Sequence, residues 1–364
     1  MEPQPEPLTD NNIHNAVTLW CDDRVAAQIK YGHISHWDTS AVTNMKDLFR
    51  SKRRFDDDIS QWNVANVTNM GEMFWFARAF NKPLGQWNVS QVTNMHQMFV
   101  NADAFNQDIG QWNVSQVTDM VRMFCDADAF NQPLGQWNVS QVTDMTAMFG
   151  GAAAFNQAIG QWNVSQVRTM RVMFVNAAAF NQAIGQWNVS KVTDMSGMFS
   201  GAAAFNQAIG QWNVSKVTDM TSMFRGATAF NQDIGQWNVS QVTGMDGMFY
   251  NAKAFNQDIG QWNVTDMSDM FSDAAAYKQR LEDKRNYNLT EAALQHRDAE
   301  DDPIAKVFRN PYGARSDIKS FLGGKKRRKT SKRKYKTINN KSKKKNISRK
   351  RKQSNKKGKK TKKK

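Results

Sequence analysis

Ten tryptophans stand 25 residues apart without a slip: Trp37, Trp62, Trp87, Trp112, Trp137, Trp162, Trp187, Trp212, Trp237 and Trp262. A fixed period of this length marks tandem supersecondary units. None can bury its apolar face alone, so neighbouring copies must stack into a solenoid. The unit reads FNQDIGQWNVSQVTDM followed by two variable residues, Met-Phe, two more variable residues and an Ala-rich return. Recent duplication alone produces such uniformity, so recurrence by itself marks no site.

Phase within the repeat carries more. In the coil at Trp112, the residues Met120, Met123, Phe124 and Ala127 fall at i, i+3, i+4 and i+7, the spacing of one buried helical stripe. Thr118 and Asp119 precede it, where a hydroxyl or carboxylate can cap a helix N-terminus. Trp112 and Val114 alternate with Gln111 and Asn113, the period-two signature of a short half-buried strand entered through Gly110. The expected class is an α/β repeat solenoid of leucine-rich-repeat-like coils, each a short strand and a short helix, with Met, Phe and Trp in place of Leu. At about 4.8 Å per stacked strand, ten such coils span roughly 45–50 Å.

Both ends read as caps. Residues 1–36 form a helical N-terminal cap: Ile13, Ala16, Val17 and Trp20 repeat the helical spacing behind Thr9, and Val25, Ala26 and Ile29 suggest a second helix ending at Tyr31-Gly32. The array runs over residues 37–277, and its last coil is three residues short, because Trp262-Asn263-Val264 passes directly into Thr265-Asp266-Met267. Tyr277 there replaces the recurring Phe. Residues 278–324 are a charged cap and connector with a helix expected near Thr290–Arg297.

Composition changes after Gly324. Residues 325–364 hold 24 of the 49 basic residues and no acid, which leaves 25 basic against 33 acidic residues in the first 324, a net charge of −8. Such a like-charged block with almost no apolar residues is expected to stay disordered and to serve as an interaction tail. Its candidate polyanion-binding residues are Lys325, Lys326, Arg327, Arg328, Lys329, Lys332, Arg333, Lys334, Lys343, Lys344, Lys345, Arg349, Lys350, Arg351 and Lys352, facing DNA, RNA or an anionic surface.

Cys21 and Cys125 are too few for a disulfide framework or a zinc knuckle. The opening MEPQPEPLTDNN has neither a basic n-region nor an apolar h-region, and no run is long enough to cross a membrane as a helix. The expectation is an intracellular product, with nucleus or virion as possible destinations. Asn-Val-Ser recurs from Asn88 to Asn238 as a glycosylation acceptor, but stacked copies about 4.8 Å apart leave no room for neighbouring glycans. A ladder of side-chain amides along that Asn column is the favoured reading.

Catalysis finds little footing. The five histidines fall at unrelated phases; His33 and His36 lack a third ligand; Asp56, Asp57 and Asp58 read as a solvated loop. No enzymatic activity, cofactor or metal is expected.

The opening LWCDDRVAAQIKYGHISHWDTSAVTNMKDLF and the recurring FNQDIGQWNVSQVTDM resemble the BspA-like leucine-rich-repeat surface proteins over residues 13–277. That resemblance implies the repeat fold and, for bacterial members, a binding or adhesion role outside the cell, which here would require export by an unrecognised route. The Gly-Gly and basic run resemble the C-terminal extensions of proteins from large algal DNA viruses.

If the core is constant, contacts belong to positions that vary. Arg50, Trp75, Val100, Cys125, Val175, Arg225 and Tyr250 share one phase directly after the Phe, on the outward side of the expected helix. With Phe76 they supply aromatic and Arg anchors of the kind that dominate interfaces. The candidate protein-binding face is therefore Arg50, Trp75, Phe76, Val100, Val175, Arg225 and Tyr250, for an unidentified protein partner. The function expected is a non-enzymatic scaffold for protein–protein interaction with a polybasic tail. The alternative is a nucleic-acid-associated protein whose tail does the binding.

Overall fold

The computed structural model describes residues 6–262 and 270–295, with side chains described as far as residue 285. The coils stack in parallel as a repeat solenoid. Single-residue parallel bridges run in one column, Asn44–Asn69–Asn94–Asp119 and then Asp144–Thr169–Asp194–Asp219–Gly244. Each coil contributes the same buried set. In the coil at Trp112 this is Trp112, Val114, Val117, Met120, Met123, Phe124, Ala127 and Phe130, none more than 3% exposed.

The coils contain neither the expected strand nor the expected helix among the described residues. Each is a chain of tight turns. In the Trp112 coil, N–H groups of Trp112, Val117, Met123, Cys125, Ala127 and Phe130 donate to the carbonyl three residues back, at 3.0–3.2 Å. Between Met120 and Ala127 these turns alternate with bonds to the next coil: Arg122 N–H to Thr146, Phe124 to Met148 and Asp126 to Gly150. Arg122 and Asp126 have φ of 55° and sit at the third position of the turns Met120–Met123 and Phe124–Ala127, where a type II turn requires positive φ. The i, i+3, i+4, i+7 stripe is real, but turns produce it as well as a helix does. Isolated helices this short are marginal, whereas a turn ribbon sends every second N–H to the neighbouring coil and is held by the stack.

Thr118 and Asp119 are accordingly not helix caps. Asp119 Oδ1 accepts from Val121 N–H at 3.1 Å, an Asx turn that opens the ribbon. Thr118 N–H and hydroxyl both donate to Thr93 of the preceding coil.

Two Phe columns and one Trp column fill the core. Phe124 lies parallel to Phe99 and Phe149, with centroids 5.6 Å apart, and 4.1 Å from Phe130 of its own coil. Trp112 and Trp137 are parallel at 6.4 Å. Each indole N–H from Trp62 to Trp237 donates to a carbonyl 28 residues back, as Trp137 does to Ile109 at 3.1 Å, so the ring's one polar atom is satisfied inside the stack. The amide ladder lies on a different column from the one expected. Asn113 is exposed and its oxygen accepts from Ser115 N–H within the coil. It is Asn106, Asn131 and Asn156 whose oxygens accept the N–H of the next Asn along the stack, with Gln132, Gln157 and Gln182 adding their side-chain amides.

The first coil is closed by helices α1 (Ile13–Asp22) and α2 (Arg24–Tyr31). Trp20 packs edge-on against Trp37 at 5.9 Å. Asp10 supplies what a preceding coil would, accepting from Thr43 N–H, Thr43 hydroxyl and Asn44 N–H. Asp23 caps α2 through Ala26 N–H, and Gly32 ends it with φ of 75°. The buried face of α2 is Ala27 and Tyr31, while Val25 and Ile29 are exposed, so the helix is as expected and its face is not. At the other end Phe271 and Tyr277 continue the two Phe columns, at 5.5 Å from Phe249 and 5.9 Å from Phe255. The helix expected near Thr290 begins earlier, as α3 (Ala275–Gln295).

Candidate functional site

Where the turn ribbons of adjacent coils meet solvent they leave a groove of about 490 Å³. Its lining comes from neighbouring columns of the ribbon. One is the phase directly after the Phe, represented by Trp75, Val100, Cys125, Gly150 and Val175; the next is the positive-φ phase, from Phe76 to Asn176. The column that varies from coil to coil is therefore outward-facing, although on turns.

The groove has a built end and a plain floor. Trp75 and Phe76 stand at one end with ring centroids 4.3 Å apart. Arg50 of the preceding coil lies over Trp75 at 4.2 Å and is also ion-paired to Glu72 and Asp47. Phe76 carries two guanidinium groups, Arg78 at 5.4 Å and Arg53 at 5.9 Å. The apolar part of the floor is Val100, Ala147, Gly150, Gly151, Val172 and Val175, with Gln97, Asn101, Arg122, Asp126 and Asn176 among them. Val100 is only 8% exposed, a floor residue and not a projecting contact. Arg225 and Tyr250 pair with each other at 4.7 Å farther along the same face and do not line the groove.

Backbone donors along the floor are spent. Gln97, Phe99 and Asn101 N–H groups reach the next coil, and Val100 and Ala102 close turns. A ligand meets side chains here, not an open β-edge. Burial, reinforced by the charge of Asp126, pushes the Cys125 thiol up to about 12, so it stays protonated at neutral pH and is a poor nucleophile. Burial, then the charges of Asp103 and Asp126, raises the Asp128 carboxyl above its usual range.

Other residues singled out in the sequence have structural partners. Asp56 accepts from Asn81 N–H at the start of the amide ladder and pairs with Lys82 at 3.0 Å. Asp57 takes the Trp20 indole N–H and Arg24, and Asp58 takes Ser60 N–H. His33 bonds Ser35 and lies edge-on to Trp20. Among the described residues no group of three His, Cys, Asp or Glu could hold a metal, and no helix is long and apolar enough to cross a membrane. The basic residues from Lys325 to Lys352 lie outside the described residues.

The sequence reading missed Gly150 and Gly151. Gly150 opens the depression by having no side chain, and its signal was a glycine at a phase occupied elsewhere by larger residues, whereas Gly151 shares its phase with Gly201 and Gly226 and lets the Asp126 carboxylate approach.

Three overlapping segments, residues 23–133, 104–204 and 179–284, match the family model described as "Mycoplasma protein of unknown function, DUF285". No curated protein and no solved structure matches the chain.

Proposed function

We propose, from the premise that the chain belongs to this repeat family of unknown function, that it is a non-enzymatic scaffold that binds a protein partner through the groove on its turn face. The observation that supports this is the division of labour within the coil. Core columns are refilled with the same residue types, whereas the column lining the groove runs from Trp75 through Val100 and Cys125 to Gly150 and Val175. A rigid frame with one variable, concave, partly apolar strip suits recognition, with Trp75 and Phe76 as anchors.

The test is Val175→Arg in the full chain. Val175 is half-buried in the groove and outside the core columns, so the array should fold normally while the cation fills the floor. Proteins captured from the native source by the unaltered chain should be weakened about 30-fold by the variant, the loss of roughly 2 kcal/mol expected of a central anchor position. Identical capture by both chains would overturn the groove as the binding surface.

A second reading concerns residues 325–364, favoured by their 24 basic residues without an acid. They would bind polyanions without sequence preference, since a polar chain lacks a rigid surface for base readout. With about eight phosphates engaged, log K on duplex DNA should fall with log salt at a slope near −7, and removal of the tail should abolish binding. Salt-insensitive binding, or binding kept by residues 1–324, would count against it.

A further inference from the structure

The groove is asymmetric in charge, and that asymmetry specifies a ligand. Three guanidinium groups, Arg50, Arg53 and Arg78, are fixed against Trp75 and Phe76 at one end. A guanidinium resting on a ring keeps its N–H edge free for a two-pronged bond to a carboxylate. Arg53 has no ion-pair partner among the described residues, and Arg78 has only Asp103 at 3.6 Å. Beyond them the floor is small through Gly150 and Val175, and its two charged residues, Arg122 and Asp126, are of opposite sign.

We infer that the groove holds an extended peptide segment of the partner, with an acidic end on Arg53 and Arg78, beside the already paired Arg50, and small apolar side chains over Val100, Gly150 and Val175. This rests on the protein-binding reading above and adds the chemistry of the bound segment. Four coil spacings at about 4.8 Å give ~19 Å, the length of about six extended residues. The spent backbone donors of the floor exclude strand addition, so affinity must come from the acidic end and from apolar contact. Single-stranded nucleic acid fits less well. Its phosphates repeat along the whole strand, whereas three cations here crowd one end and the fourth, Arg122, shares the floor with the opposite charge of Asp126. The faces of Trp75 and Phe76 that would stack bases also already carry guanidinium groups.

The experiment is selection of a random eight-residue peptide library on the full chain, counter-selected on full-chain Val175→Arg, which keeps the basic tail and blocks the groove. Enriched peptides should carry Asp or Glu at one end and small apolar residues after it. Their affinity should fall about tenfold or more in Arg53→Gln/Arg78→Gln, the effect of removing charge-assisted hydrogen bonds, with the circular dichroism spectrum unchanged. Enrichment without an acidic end, no enrichment over the counter-selection, or equal affinity for the double variant overturns the inference. So does a twelve-residue oligouridine whose binding is lost in the double variant while no peptide is enriched, which assigns the site to nucleic acid. If Val175→Arg abolishes partner capture but the peptides ignore Arg53 and Arg78, the scaffold reading stands and only the acidic-end assignment fails.

Discussion

Replacing Trp137 by Ala is expected to destabilise the solenoid by about 3–5 kcal/mol, read from chemical or thermal unfolding of the full chain. The ring is 3% exposed, lies parallel to Trp112 at 6.4 Å and sits 6.2 Å from Phe124. Most of the loss comes from volume. The carbonyl that accepts the indole N–H, Ile109, also accepts from Trp112 N–H, so it keeps a partner after truncation. The void cannot close by local collapse, because coils on both sides are pinned by the Phe columns and the Asn106–Asn131–Asn156 ladder. Trp262→Ala should cost less: that ring ends the Trp column, and its indole N–H has no partner among the described residues. An unchanged unfolding midpoint for Trp137→Ala would show that the column is not the core.

Burial phase was legible in the sequence because it depends only on which residues recur at 25. Trp112, Met120, Met123, Phe124 and Ala127 are buried as their spacing requires. The backbone between them was not legible, since helix and turn ribbon place that stripe on the same side. One signal did distinguish them. From Asn101 onward the phase is filled by Asp126, Gly151, Asn176, Gly201, Gly226 and Asn251, all at positive φ and all residue types that tolerate it, although Ser51 and Phe76 hold the same conformation earlier in the column. A helix has no use for such a column four residues from another positive-φ position. The amide ladder was displaced for a related reason: Asn106 and Asn113 both recur once per coil, but the Asn113 oxygen is taken by Ser115 two residues on. Of the candidate site, the anchors Trp75 and Phe76 could be seen as side chains that vary, whereas Gly150 and Gly151 act through missing side chains and disclose the groove only in three dimensions.

Excising residues 112–136 is expected to leave a folded, cooperatively unfolding array one coil shorter, whereas excising residues 112–123 is expected to abolish cooperative unfolding. After the 25-residue excision every column finds a like partner. Phe99 N–H, which donates to Met123, meets Met148; the Trp137 indole, which donates to Ile109, meets Leu84; Asn156 N–H, which donates to Asn131, meets Asn106. Only one coil and one interface are lost from a sum of such terms. The 12-residue excision instead sets Trp and Phe against the polar phases of the adjoining coil and breaks the ladders on both sides of the cut. The final coil shows how far the register can bend: Phe249 N–H donates 21 residues ahead, to Met270, where Phe224 donates 24 ahead to Met248. That three-residue shortening sits at the end of the array, where a single neighbouring coil must be matched. In mid-stack two neighbours must be matched at once, and a cut of any length other than the full period cannot satisfy both. Equal cooperativity in the two excision variants, by calorimetry or urea titration, would mean that the columns do not set the register.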